Sequence, residues 1–194
     1  MGNKQIRDPL YNYIELEEPF VQLIDTPEFQ RLRNIRQTSY EALYPSALHN
    51  RFVHSLGVFH LGKKAIDSFW NHAKGVISEA YLKRLAPEPN CERGEWIKIR
   101  GTFLYACLLH DVGHSPFSHT GEQYYRKGMT FDVELEKAVC RCQDLVAHKA
   151  GDHYLGKQFC EDMAISTVAP GAPHEAMSAL IGLELCEKIG LEID

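Results

Sequence analysis

The sequence predicts an all-α domain with one short hairpin or strand near its N-terminus. Over most of the chain, apolar residues recur three or four positions apart, which is the spacing of amphipathic helices. Alternation of apolar and polar residues, the pattern of a half-buried strand, is limited to a short stretch around Tyr13, Ile14 and Leu16. The 194 residues, 44% hydrophobic and 24% charged, suit one soluble globular domain.

The first predicted helix follows this stretch. Thr26 is suited to the N-cap position and Pro27 to the first helical position. Phe29, Leu32 and Ile35 are spaced three residues apart and predict one buried stripe.

Further helices are predicted along the rest of the chain. After a loop broken by Pro45, a long helix covers 50–73, and its apolar residues are Phe52, Leu56, Phe59, Ile66 and Trp70. A helix over 94–112 is apolar all round in its second half, which predicts an enclosed position, and Gly113 is expected to end it in a left-handed cap. The remaining predicted helices cover 77–86, 132–149, 154–166 and a last segment that starts near Pro173.

Charge and cysteine usage exclude several classes of protein. The net charge of −5 provides no general attraction to nucleic acid or to anionic membranes, although it leaves a local basic patch open. No apolar run is long enough to span a bilayer, and residues 1–10 lack the apolar core of a signal peptide. The six cysteines include no CxxC pair, so we interpret them as reduced core thiols of a cytoplasmic protein.

A histidine–aspartate pair follows the apolar end of the 94–112 segment, in the stretch LLHDVGHSPFSH. On a regular helix, His110 and Asp111 point about 100° apart, so they share an ion only if it lies beside the helix end. An imidazole and a carboxylate together suit a divalent Mn, Fe, Zn or Mg ion. The alternative is structural: Asp111 caps a turn and His110 is a satisfied core histidine.

Other histidines could complete such a site. His54 lies near the start of the 50–73 helix, three residues after Arg51, and a metal-binding histidine beside an arginine suits phosphate chemistry. His114 and His119 flank Pro116, whose turn can bring both rings back towards the helix end, where they could move protons near neutral pH. A capping residue and a polar surface loop are the structural alternatives for these residues.

A last pair, His174 and Glu175, opens the final predicted helix. Glu175 could simply complement the positive end of the helix dipole. In the context of the other histidines, His174 becomes a candidate acid, and Glu175 a candidate partner that orients or charges a histidine.

Four segments together resemble the HD-domain phosphohydrolases, and most of all their deoxynucleoside triphosphate triphosphohydrolase branch: DPLYNYIEL, IDTPEFQRLRNIRQ, HNRFVHSLGV and LLHDVGHSPFSH. The resemblance implies an all-α HD fold in which His54, His110 and Asp111 hold one divalent metal. It also implies a nucleotide substrate and is compatible with a homo-oligomer.

The same resemblance implies roles for the remaining residues. Metal-activated water would attack the α-phosphorus of a deoxynucleoside triphosphate and release deoxynucleoside and triphosphate. His119 and His174 would line the phosphate path, one of them protonating the leaving 5′-oxygen, and His114 would hydrogen-bond the water or a phosphate. Arg51 would hold a phosphate, and Gln37 would lie near the sugar.

The chain departs from this pattern in two places, the fourth metal ligand and the long segment between His119 and His174. HD sites use a fourth ligand, an aspartate that lies downstream of the segment matching His174, and no suitably placed aspartate follows here. The chain is therefore a fragment, or water or another side chain fills that position. We interpret 1–194 as a single HD domain with a helical insertion at about 121–170. Two rival functions stay open: another phosphomonoesterase or phosphodiesterase activity, and a non-catalytic module that binds nucleotide or nucleic acid or assembles with partners.

Overall fold

A computed structural model describes residues 2–38, 46–76, 92–125 and 173–191. Its strands are β1 (Lys4–Asp8) and β2 (Asn12–Leu16), and its helices are α1 (Glu18–Ile24), α2 (Pro27–Gln30), a 3₁₀ helix (Arg31–Asn34), α3 (Arg51–Val76), α4 (Glu92–Leu109), α5 (Ser118–Tyr125) and α6 (Pro173–Lys188). The predicted all-α class with a short N-terminal hairpin is confirmed.

The hairpin is closed by a side chain as well as by its ladder. The strands β1 and β2 pair antiparallel, with Ile6 opposite Ile14. An Asp8 carboxylate oxygen accepts the backbone N–H groups of Leu10 and Tyr11 at 2.8 and 3.0 Å. Asn12 then adopts a φ of 66°, a left-handed conformation that asparagine tolerates. The inward side chain of Ile14 is fully buried, so this hairpin forms one wall of the core.

The predicted Thr26 cap is confirmed, because its hydroxyl accepts the Phe29 N–H. The helix that follows has one α turn, α2, and then tightens into the 3₁₀ helix. Residues three apart align in a 3₁₀ helix, which fits the buried stripe of Phe29, Leu32 and Ile35. We did not predict the preceding helix α1, although a proline at its start indicated one.

Helices α3 and α4 pack against each other and contribute much of the core. An added Cβ at Gly62 of α3 would lie only 2.6 Å from the Cys107 sulfur of α4, so the glycine allows the two helices to approach closely. The enclosed position predicted for the second half of α4 is wrong in part: Leu104 and Leu108 are buried, but Phe103 is 40% exposed.

The predicted left-handed cap at Gly113 is also wrong. Among the glycines that the structure describes, only Gly190 has a positive φ. A side chain at Gly113 would instead overlap the backbone of α6, because its Cβ would meet the amide nitrogen of Ser178 and lie 2.5 Å from the Met177 carbonyl carbon. Glycine is needed at this position so that the turn can pack closely against α6.

Several predictions fall outside the described residues. They are the helices over 77–86, 132–149 and 154–166, and most of the insertion at 121–170, of which the structure describes only the end of α5. Within the described part of the chain, no helix is both long enough and apolar enough to cross a bilayer.

Candidate metal centre

The segment after α4 is a tight turn rather than a continuation of the helix. The helix ends at Leu109, and the turn is closed by two short-range hydrogen bonds, from Val112 N–H to the Leu109 carbonyl at 3.0 Å and from His114 N–H to the Asp111 carbonyl at 3.1 Å. Because His110 and Asp111 lie beyond the regular helix, their side chains need not point about 100° apart.

His54, His110 and Asp111 converge as predicted. Their candidate ligand atoms all lie within 4.8 Å of one another. The Nε2 atoms of His54 and His110 are 3.3 Å apart. His54 Nε2 lies 3.7 Å from Asp111 Oδ2, and His110 Nε2 lies 3.4 Å from Asp111 Oδ1. Two ligands that are about 2.1 Å from one ion in a roughly tetrahedral arrangement are about 3.4 Å apart, so these three side chains fit a divalent cation.

A hydrogen bond orients the His110 ring, and burial affects the charge of His54. His110 Nδ1 lies 3.0 Å from the Cys107 carbonyl oxygen. In the tautomer that carries its proton on Nδ1, this atom donates to that oxygen and the Nε2 lone pair is available to a cation. Burial lowers the pKa of His54 and outweighs the opposing effect of Asp111, while His110 and Arg51 lower this pKa further. His54 is therefore neutral at pH 7 and can act as a ligand.

Asp111 is held as a carboxylate by buried partners. Arg51, with 2% of its side chain exposed, places its Nη1 2.6 Å from Asp111 Oδ2. Its Nε and Nη2 donate to the Ser118 hydroxyl at 3.2 and 2.5 Å. Burial raises the pKa of Asp111, but the interactions with His114, His110 and Arg51 outweigh burial and keep this pKa below its usual range. The charged form of Asp111 therefore prevails at neutral pH.

A second cluster contains the other three predicted histidines, His114, His119 and His174. The ring of His114 stacks on that of His174 with centroids 3.9 Å apart, and the His119 ring stands edge-on to both, at 4.8 and 5.0 Å. Their ligand atoms also lie within 4.8 Å of one another, so this group too could hold a cation. His114 Nε2 is 3.4 Å from Asp111 Oδ1, which connects the two clusters.

The three rings differ in how deeply they are buried. The His114 side chain is fully buried, and burial lowers its pKa, against the opposing effect of Asp111. His174 is half-buried, and His119 is exposed. The deepest ring therefore faces the Asp111 carboxylate, and the ring of His119 faces solvent.

The structure brings most, but not all, of the predicted site residues together. Gln37 is connected to the start of α3 through its N–H, which donates to the His49 carbonyl at 3.1 Å. Glu175 lies exposed on the first turn of α6 and outside both clusters. His49 was not predicted; its ring centroid is 6.4 Å from that of His54. Its position in the HNRFVH motif, which also contains Arg51 and His54, could have indicated that it lies near the site.

Three further residues, for which no role in the site was predicted, hold the site in place. Ser118 accepts from Arg51, Arg31 donates to the turn after Asp111, and the Ser178 hydroxyl accepts the Gly113 N–H at 2.9 Å. Hydroxyl and guanidinium groups of this kind leave no spacing pattern in the sequence.

This chain combines a mostly helical fold with a cluster of two histidines and an aspartate at a helix end, the two features that the predicted resemblance implies. No family model matches it. It is 39% identical over 117 residues to the human deoxynucleoside triphosphate triphosphohydrolase SAMHD1, and 37% identical over 114 residues to an HD domain-containing protein of Acanthamoeba polyphaga mimivirus. An uncharacterized protein of Methanocaldococcus jannaschii is 39% identical over 120 residues. The predicted resemblance to the HD-domain phosphohydrolases and their triphosphohydrolase branch is thereby confirmed.

The matches cover 60%, 57% and 61% of this chain, respectively, but only 16%, 23% and 21% of the human, viral and archaeal proteins. The chain thus spans a small part of the length of these relatives, and their similarity supports an HD-type region rather than the activity of a whole protein.

Proposed function

We propose that this chain is a metal-dependent phosphohydrolase that converts a deoxynucleoside triphosphate into deoxynucleoside and triphosphate. The observation that carries the proposal is the convergence of His54, His110 and Asp111, with ligand atoms within 4.8 Å of one another. The similarity to relatives such as the human deoxynucleoside triphosphate triphosphohydrolase supports the choice of substrate class.

His54, His110 and Asp111 would hold one divalent ion. A Mn, Fe, Zn or Mg ion there would supply Lewis-acid chemistry, neutralising phosphate charge and making water a better nucleophile near pH 7. The mixed imidazole and carboxylate donors do not select among these metals strongly.

In the proposed reaction, water oxygen bonds to the α-phosphorus while the bond from that phosphorus to the 5′-oxygen breaks. The leaving oxygen needs a proton, and an imidazole is suited to supply it near neutral pH. His119 and His174 are our candidates, since they are exposed and half-buried respectively. The fully buried His114, in contact with Asp111, would orient the water or a phosphate oxygen.

Arg51 and Gln37 would contact the substrate, whereas the exposed position of Glu175 outside both clusters gives no support to its predicted role of orienting or charging a histidine. A guanidinium has five N–H groups. Arg51 uses three of them on Asp111 and Ser118, so two remain for a phosphate oxygen. Its buried position adds a second role, which is to orient the Asp111 carboxylate.

The test is a product assay with dGTP in the presence of each divalent metal, with separation of nucleosides and phosphates by chromatography. The proposal predicts deoxyguanosine and intact triphosphate, and loss of both with His110→Ala. His72→Ala, which changes an exposed histidine of α3, should retain activity. Stepwise release of phosphate would instead favour another phosphatase activity, and metal binding with no turnover would favour a nucleotide-binding module.

A further inference from the structure

The turn that follows the His–Asp pair is irregular and buried, so its backbone polar groups need partners other than water. Residues 111–115 are all buried. Inside the turn, the Val112 and His114 N–H groups bond to the carbonyls of Leu109 and Asp111. The Gly113 N–H donates to the Ser178 hydroxyl of α6 at 2.9 Å. The group that donates to the Val112 and His114 carbonyls, on either side of Gly113, lies elsewhere in the fold.

Arg31, the first residue of the 3₁₀ helix, supplies that partner. Its Nη1 donates to the His114 carbonyl at 2.7 Å, and its Nη2 donates to the Val112 carbonyl at 2.5 Å. One planar guanidinium thus spans the two carbonyls that flank Gly113. The positive charge also lies just beyond the C-terminal end of α4, where the helix dipole favours a cation.

We propose that Arg31 is a positioning residue that fixes the orientation of Asp111 and His114 relative to each other. The inference rests in part on the proposed metal centre. Asp111 belongs to that centre and His114 to the histidine cluster, and only Val112 and Gly113 separate them in the chain. The guanidinium binds two carbonyls of this turn, and the Ser178 hydroxyl accepts the N–H of the glycine between them. Loss of Arg31 would leave two buried carbonyls without their donor, and the peptide planes around Gly113 would rotate to find water.

The geometry requires the guanidinium fork and not the charge alone. A lysine ammonium is a single point donor and cannot hold two carbonyls in one plane as arginine does. Arg31→Lys should therefore recover only part of what Arg31→Ala loses. Arg33 provides a matched control on the same 3₁₀ helix: it donates to Gln30 at 2.7 Å, and its guanidinium lies 3.6 Å from the centre of the Phe52 ring.

The first experiment measures the Mn²⁺ and Co²⁺ dissociation constants of the full chain by calorimetry. Removal of groups that orient metal ligands typically weakens binding about 10–100-fold, and we expect that loss for Arg31→Ala. Arg31→Lys should fall between this variant and the unchanged chain. Arg33→Ala should leave metal affinity unchanged although it loses its own contacts. Equal affinities of Arg31→Ala and the unchanged chain would overturn the proposal.

The second experiment needs no metal, so it separates this proposal from the proposed function. Histidine ring ¹H–¹⁵N spectra of the metal-free chain should show shifted His110 and His114 signals in Arg31→Ala and Arg31→Lys, and unshifted signals in Arg33→Ala. Added guanidinium at low millimolar concentration should move the Arg31→Ala signals back. Unchanged ring signals in both Arg31 variants would refute the positioning role, whereas a chain that binds no metal but shows these shifts would refute only the metal centre.

Discussion

Removing one partner of the buried ion pair between Arg51 and Asp111 is expected to destabilise the fold as well as disturb the site. Arg51→Ala removes a guanidinium whose side chain is 2% exposed and leaves a carboxylate that is 5% exposed. It also removes both hydrogen bonds to the Ser118 hydroxyl. In this variant the buried Asp111 carboxylate keeps only its histidine neighbours, without the cation that paired with it.

The expected cost follows from that burial. Breaking a buried ion pair by removing one partner lowers the free energy of unfolding by about 3–5 kcal/mol. With a urea slope of about 2 kcal/mol per molar, the unfolding midpoint should fall by about 1.5–2.5 M. The loss is a large part of the roughly 5–15 kcal/mol that stabilises a typical domain.

Urea titration of the metal-free chain in chelator, followed by circular dichroism, measures the loss. The control is Arg100→Ala, which breaks the more exposed Arg100–Asp67 pair at 2.7 Å, with side chains 23% and 42% exposed. Such pairs contribute about 0.2–1 kcal/mol, so the control should shift the midpoint by less than about 0.5 M. If the two variants lost similar stability, and both less than about 1 kcal/mol, the reasoning from burial would be refuted.

Three other predictions concern the packing, the pH dependence and the thiols. Gly113→Ala should lower the free energy of unfolding by about 1–3 kcal/mol, because the new methyl group would overlap α6. Gly101→Ala is the control: its Cβ would make an ordinary 3.8 Å contact, so it should raise the thermal midpoint slightly. Equal effects of the two substitutions would contradict the packing. Burial lowers the pKa values of His54 and His114, so as the pH falls the unfolded chain binds protons at a higher pH than the folded chain does. The free energy of unfolding should therefore fall as the pH drops through about 6.5, and equal urea midpoints at pH 7.5 and 5.5 would contradict this sign. Burial raises the pKa of Cys186 to about 11, so this thiol should resist alkylation at pH 8 until urea unfolds the chain, and rapid labelling of the folded chain would contradict the burial.

The sequence predicted those parts of the fold that follow from local spacing. The Thr26 cap and the stripe of Phe29, Leu32 and Ile35 are local patterns, and the structure has both. Helix α1 was missed because it is only seven residues long, too short for a clear period. The cap expected at Gly113 was wrong because a glycine required for packing and one required for a left-handed turn look the same in a sequence.

The candidate site was predicted from residue types and not from contacts. Histidines and an aspartate that converge across α3, the turn and α6 could be singled out because they are rare and chemically distinctive. Arg31 and Ser118 could not, since arginine and serine are common and their partners lie 83 and 67 positions away in the sequence. Such long-range contacts depend on the tertiary fold, which local patterns do not determine.

The shared cation is tested most directly by X-ray absorption spectroscopy of the zinc-loaded chain, with His54→Ala and His72→Ala as paired variants. The account predicts two imidazole nitrogens at about 2.0–2.1 Å in the unchanged chain and in His72→Ala, and one in His54→Ala. A shell of oxygen atoms without imidazole scattering, or the same spectrum in all three proteins, would contradict it.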